Sequence, residues 1–344
     1  MFKRIISILL CVIMVAGCTL CLGACKSDND DNYPVTVSGV TIEKEPENIV
    51  VLSDCLADVI SYIKQDSYMS YDVKMVGRNA ETTQEFLSVV PSVGAMNSID
   101  VNAIVAAETD LVIADSTLPN NVKTQIEENQ IPVLILDKAK TFDELKVLYT
   151  NLGTALGGKV TGKKNGTDSF DALLKTLKDF KNAIPNDVVK TACYLYFNEN
   201  NELCTLTKGT IEFELFSYNG AINIFSSQET PVVDLEQLKI GTPTFIFYDD
   251  EAVIDYLKND TELSTMRALS EGQTYQIKLA DFGRQGTTYE EITYRMLEFM
   301  FITSEATPDE ATPDDATVSD ATETAETQST DEDSDVVGFI SDAE

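Results

Sequence analysis

Two arginines, Arg78 and Arg284, are the side chains in this 344-residue sequence best suited to specific chemistry. The chain is poor in arginine, and a planar guanidinium at the edge of a cleft holds a carboxylate or hydroxamate oxygen pair through two parallel hydrogen bonds. The competing reading of each is a surface cation that neutralises neighbouring acids, such as Asp281 beside Arg284. Short polar turns accompany them along the sequence: Ser53-Asp54-Cys55, Met96-Asn97, Asp115-Ser116-Thr117, Gly209-Thr210, Tyr248-Asp249, and the loop from Asp281 and Phe282 to Gly286. Such groups can grip a small polar ligand, but they are poorly equipped for catalysis. The chain has no histidine. It therefore has no Ser/His pair and no HExxH, and it also lacks phosphate-binding glycine motifs. Cys55 falls at a strand-to-helix turn, where a helix N-terminus lowers a thiol pKa, yet no base stands beside it. The expectation is a binding protein and not an enzyme. Free zinc or manganese is disfavoured as cargo, because divalent transition ions favour imidazole nitrogen.

The N-terminus places these residues outside the cytoplasm. Lys3 and Arg4 precede an apolar stretch from Ile5, and Leu22-Gly23-Ala24 leads to Cys25. A basic start, an apolar segment and small residues before a cysteine are the features of a lipoprotein export signal, with Cys25 carrying the lipid. Cleavage at Cys18, after Val15-Ala16-Gly17, and a retained membrane helix are the alternatives. Four of the seven cysteines belong to this segment, which leaves Cys55, Cys193 and Cys204. That odd number defines no disulfide framework. Cys193 and Cys204 flank an expected hairpin around residues 198–201 that would set them diagonally on one face. Diagonal neighbours are too far apart to bridge, so buried free thiols are expected.

The formal net charge is −32, and 14 of the acids lie in residues 303–344 with no Lys or Arg among them. Such a balance repels nucleic acid and anionic lipid alike. The tail has too little apolar content to offset ordering entropy and reads as disordered.

Between residues 46 and 302 short apolar runs alternate with helical periods, the mark of an α/β fold. Residues 49–52 read as a buried strand, followed by Leu56, Val59, Ile60 and Ile63 on one helix face. Further strands are expected at 73–76, 111–114 and 133–136, with helices at 101–107 and 122–128. Residues 142–184 hold no strand but carry a helical stripe of Phe170, Leu173, Leu174, Leu177 and Phe180. A hairpin at 191–207, a helix at 211–218, strands at 244–248 and 274–277 and a closing helix then repeat the theme. The predicted organisation is an export signal (1–25), a tether (26–45), an N-terminal α/β lobe (46–141), a helical connector (142–184), a C-terminal α/β lobe (185–302) and an acidic tail (303–344). In such open sheets a ligand sits beyond the carboxyl ends of the strands, which is where the polar turns fall.

Several runs in order resemble the solute-binding proteins of ABC importers, in the helical-backbone cluster whose members deliver metal chelates, haem, cobalamin or metal ions. They are PENIVVLS at 46–53, Val76-Gly77, PSVG at 91–94, IVAAETDLVIA at 104–114 and IPVL at 131–134 in the first half. KGT at 208–210, NGAINIF at 219–225 and VDLEQL at 233–238 follow in the second. Thr109 stands where the family usually has proline, and GTPT at 241–244 departs from its pattern. The resemblance implies two Rossmann-like lobes joined by a long helical connector, and a preformed cleft holding a ferric siderophore or haem. It also implies a membrane permease with its ATPase as partner, a monomeric binding protein and no resident cofactor. Arg284 falls where the family has a cleft arginine. The implied ligand-binding set is Ser53, Asp54, Cys55, Arg78, Met96, Ser116, Thr117, Gly209, Thr210, Tyr248, Phe282 and Arg284. Family members dock through one glutamate per lobe; Glu236 matches the second, while Asn102 occupies the first. The absence of tryptophan weakens a corrinoid reading without removing it. A degenerate relative serving as a surface interaction module is the alternative from another class.

Overall fold

The computed structural model describes residues 32–66, 73–82, 84–184 and 188–303. The export segment with Cys25 and the acidic tail lie outside the described residues. Among the described residues no helix is long and apolar enough to cross a membrane.

The chain opens with a small antiparallel hairpin, β1 (Val35–Val37) and β2 (Val40–Ile42). It lies within the stretch read as a tether. Two Val-Thr-hydrophobe triplets around Ser38-Gly39 alternate with period two, so Val35, Val37 and Ile42 bury one face. Nearby Tyr33 donates its hydroxyl to the Ala155 carbonyl (3.1 Å).

The first lobe runs β3 (Asn48–Val51), α1 (Asp54–Asp66), β4 (Lys74–Arg78), α2 (Val101–Ala106), β5 (Leu111–Ala114), α3 (Asn120–Glu128) and β6 (Val133–Ile135). Its sheet is entirely parallel with order β4-β3-β5-β6. Strand order reverses between β3 and β5, so the crossovers fall on both faces. Ile49, Val51, Leu111 and Ile113 feed one core, and Val50, Leu52, Val112 and Ala114 another. The buried stripe of α1, with Leu56, Val59, Ile60 and Ile63, packs into the first of these.

The connector is a helical hairpin rather than one rod. Helix α4 (Phe142–Gly157) is capped by Thr141, whose hydroxyl accepts from the Glu144 amide (3.2 Å). A wide π turn (Gly158–Gly162) leads into α5 (Lys163–Asn182), which packs back along α4. Glycines permit the approach: a Cβ on Gly166 would stand 2.1 Å from the Tyr149 carbonyl oxygen.

The second lobe contains β7 (Thr191–Phe197), β8 (Leu203–Thr205), α6 (Ile211–Phe216), β9 (Ile222–Asn223), α7 (Leu235–Gly241), β10 (Phe245–Tyr248), α8 (Glu251–Asn259), α9 (Arg267–Ser270), β11 (Thr274–Gln276) and α10 (Thr287–Leu297). β11, β10 and β7 are parallel neighbours, and β8 returns antiparallel on β7. Cys204 pairs with Tyr196 across that hairpin, so it shares the face of Tyr194, whereas Cys193 faces the opposite core with Leu195. The register is one residue away from the expected pairing, and one residue inverts a strand's faces. Both thiols are buried and free, as is Cys55. A single apolar core runs from the hairpin through α1, α4, α5 and α10 to Tyr194, Phe245 and Phe247 of the second sheet.

Candidate functional site

Between the lobes lies a cavity of about 700 Å³. The first lobe contributes Lys138, just past the end of β6. The second contributes Tyr196 of β7, the turn after β8 with Thr207, Thr210 and Glu212 at the start of α6, Asp249 after β10, and the segment from Lys278 to Arg284. Apart from Tyr196, which lies within β7, these are positions past strand ends, where backbone diverges and side chains are free to meet a ligand. Cations come from both sides of the seam: Lys138 from one lobe, Lys278 and Arg284 from the other.

Arg284 is held between carboxylates. Its Nη1 donates to Asp281 Oδ1 (2.8 Å), and Nη2 stands 3.6 Å from Asp54 Oδ2, at the start of α1 in the first lobe. The side chain is 19% exposed, enough to meet a solute and enough shelter to strengthen the contact. Lys278 stands 3.5 Å from Asp250, and the Asp249 carboxylate accepts from the Leu279 amide (2.7 Å), which fixes the cavity wall. Burial raises the Tyr196 hydroxyl pKa, so it lines the cavity as a neutral donor. Thr210 caps α6, accepting from the Phe213 amide (3.3 Å) while its hydroxyl donates to Thr207 O (2.9 Å).

Of the residues expected at the cleft, Thr210, Asp249, Asp281, Gly283 and Arg284 line the cavity and Asp54 reaches it through Arg284. The rest lie elsewhere. Arg78 is half-buried with its fork spent on backbone: Nε donates to Leu87 O (2.8 Å) and Val90 O (3.0 Å), and Nη1 to Asn79 O (2.9 Å). It braces a loop of the first lobe. Phe282, 0% exposed, packs edge-on against Tyr194 with ring centroids 5.0 Å apart, and so belongs to the core. Tyr248 points to the other face of its sheet, and its hydroxyl donates to Glu251 (2.6 Å). Ser53 and Cys55 are buried; desolvation pushes the Cys55 thiol up to about 12, the reverse of an activated nucleophile. Met96 packs on the first lobe's outer core. The Ser116 hydroxyl and then its amide (2.9 Å) donate to Asp137 and lower its pKa, and Thr117 hydrogen-bonds Asp115. Gly209 is exposed at φ +89°, a left-handed position that favours glycine.

Lys138, Lys278, Tyr196, Thr207 and Glu212 were not anticipated. Lys278 directly follows a predicted strand and Lys138 comes two residues after another, so the strand-end rule could have found them. Among the described residues no group of three acidic or cysteine side chains could hold a metal ion. On the outer surface, Asn102 and Glu236 lie exposed in the first turns of α2 and α7. Glu236 pairs with Lys239 (2.9 Å), which also meets Glu262.

Two lobes built on parallel and mostly parallel sheets, a helical hairpin between them and a polar cavity at their seam define a solute-binding protein. The chain belongs to the periplasmic binding protein family, whose pattern it matches over residues 49–279. It is 22% identical over 284 residues to an Fe(3+)-citrate-binding protein of Bacillus subtilis, covering 78% of this chain and 86% of that one. A possible iron-binding (periplasmic solute-binding) protein of Staphylococcus epidermidis superposes with a TM-score of 0.58 at 14% identity, over 75% of this chain and 100% of that chain. The iron uptake ABC transporter substrate-binding protein PiuA of Streptococcus pneumoniae gives 0.53 at 20% identity, over 76% and 94%. Members of the family are binding components that work with an ABC permease and ATPase, not enzymes.

Proposed function

We propose that the protein is the extracytoplasmic, lipid-anchored binding component of an ABC importer, and that the inter-lobe cavity captures a metal chelate for delivery to the permease. The supporting observation is the cavity: its volume of about 700 Å³ suits a small molecule, and cations reach it from both lobes. A ferric siderophore or other ferric chelate that brings its own oxygen donors fits this lining better than haem. Lys138, Lys278 and Arg284 suit carboxylate or hydroxamate oxygens, while Tyr196 is the one aromatic residue of the lining and neither Met nor Cys joins it as an axial ligand. The likeness to the Fe(3+)-citrate-binding protein points the same way.

In this reading Cys25 carries the lipid. Residues 46–141 and 185–302 form the two capturing lobes, 142–184 connect them, and 303–344 are the acidic tail. Glu236 and Asn102 sit at the permease-docking positions, and Glu236 would exchange Lys239 for a cation of the permease. Thermal denaturation of the purified protein with ferric citrate, a ferric hydroxamate, haemin or zinc chloride tests the assignment. Binding to the folded state alone adds roughly 2.7 kcal/mol at a hundredfold excess over the dissociation constant. A ferric chelate should raise the midpoint and zinc should not; a rise with zinc alone would overturn the reading.

A further inference from the structure

Directly after Arg284 the chain passes from the cavity wall into the seam between the lobes, where its polar groups find partners in the first lobe. Gln285 is 1% exposed. Its Nε2 donates to Ala139 O (2.6 Å) and its Oε1 accepts from Ala139 N (2.8 Å), so a side-chain amide pairs with one residue's backbone as a strand neighbour would. The Cys55 thiol donates to the same Oε1 (3.5 Å), and Tyr149 donates its hydroxyl to Gln285 O (2.9 Å). One residue further, the buried Asp58 of α1 accepts from the amides of Gly286 (2.8 Å) and Thr288 (3.2 Å). These amides open α10, where Gly286 offers no side-chain cap, so a carboxylate from the other lobe supplies it. A Cβ at Gly286 would lie 2.2 Å from Asp58 O. The two backbones meet there with no room for a side chain.

We infer that Asp58 and Gln285, neither of which lines the cavity, are positioning residues for the ligand site: from opposite lobes they clamp the segment after Arg284 and so fix Arg284 at the cavity. The inference rests on the reading of the cavity as the ligand site. Asp281, the closer carboxylate partner of Arg284, belongs to the same loop and would move with it. Asp54 is a looser contact at 3.6 Å. The buried contacts one and two residues downstream tie this segment directly to residues outside the second lobe, and their loss leaves polar groups unsatisfied and frees the loop to drift.

The sequence has five arginines, few enough to follow individually by their Nε–H signals in nitrogen-15 NMR spectra of the full-length protein, with Arg284→Lys assigning the one of interest. In Gln285→Ala and Asp58→Ala the Arg284 signal should shift and exchange faster with water, while those of Arg267 and Arg295, held in surface pairs with Glu271 and Glu291, stay in place. Ferric citrate, used as the probe, should bind about tenfold more weakly to both, the cost of one degraded charge-assisted hydrogen bond. Asp58→Asn keeps an acceptor for the amides and should recover most of both effects. An unmoved Arg284 signal in folded Gln285→Ala, or movement of all arginine signals together, overturns the inference. If the parent does not bind ferric citrate while the Arg284 signal behaves as expected, the positioning stands and that choice of cargo falls.

Discussion

Replacing Arg284 by alanine is the sharpest perturbation of the cavity. The side chain is sheltered to 19% exposure, so a two-pronged contact with an anionic ligand group should contribute about 1.5–3 kcal/mol. Its removal also leaves Asp54 and Asp281 uncompensated. At roughly 6 Å from a ligand carboxylate, in surroundings between protein and water, each would repel it by about 1 kcal/mol. The affinity for ferric citrate should therefore fall by roughly several hundredfold to several thousandfold, as read by isothermal titration calorimetry. Adding Asp54→Asn to the alanine variant should recover about fivefold, the equivalent of one relieved repulsion. Stability should change little: both ion pairs are partly exposed and together contribute about 1 kcal/mol or less, a shift of roughly 2–4 °C. Arg284→Lys keeps the charge without the fork and should fall between parent and alanine. Parent-like binding by the alanine variant would refute the reasoning, and parent-like binding by the lysine variant would refute the bidentate part of it.

Other expectations are independent of that site. Asp58 is raised to about 6, chiefly by burial against the opposing amide contacts of Gly286 and Thr288. A raised carboxyl stabilises the folded state below its unfolded pKa near 4, and that contribution is lost as pH rises through 6; the unfolding free energy of the parent from urea titrations should fall relative to Asp58→Asn between pH 4 and 7, by about 3 kcal/mol. Parallel curves would contradict this. Gly166→Ala places a methyl against the Tyr149 carbonyl and should cost about 1–3 kcal/mol, where an unobstructed helix position would gain from the substitution. Cys25→Ser should abolish incorporation of radiolabelled fatty acid, whereas continued labelling would move the anchor to Cys18. Deleting residues 304–344 should leave the melting midpoint and ferric citrate affinity unchanged, because that sequence has little to bury; lost affinity would favour the interaction-module reading.

The architecture was legible where burial imposes a period. Residues 49–52 read as a buried strand and 111–114 as a further strand, and the structure divides each between two cores. The α1 stripe and the connector's Phe170, Leu173 and Leu177 were equally plain, since a helix face that must be dry repeats every three or four residues. The hairpin at 35–42 escaped because its strands are three residues long and follow a strongly polar run. The cavity was legible only in part. Knowing where strands end gives the neighbourhood but not the direction of each side chain. Phe282 lies in the cavity loop yet turns inward, Tyr248 ends a strand whose alternation points it away, and Arg78 folds back onto three carbonyls. Sequence alone cannot say which donors a loop will consume for its own shape. The likeness to importer binding proteins gave family and lobes, while the ligand's chemistry depends on Lys138, Lys278 and Tyr196, which no motif marked.

The apolar core that threads both sheets has a further consequence. Two lobes with separate interiors can part like jaws, but here separation would tear a shared interior and wet Tyr149, Tyr194 and Phe282 together. Calorimetry of such a body should give one endotherm, with neither half surviving alone. If the chain delivers cargo as proposed, unloading would work by prising at the mouth, so the permease would meet a stiff cup to be wrenched open, and the work of that distortion would fall on the nucleotide cycle and not on thermal motion.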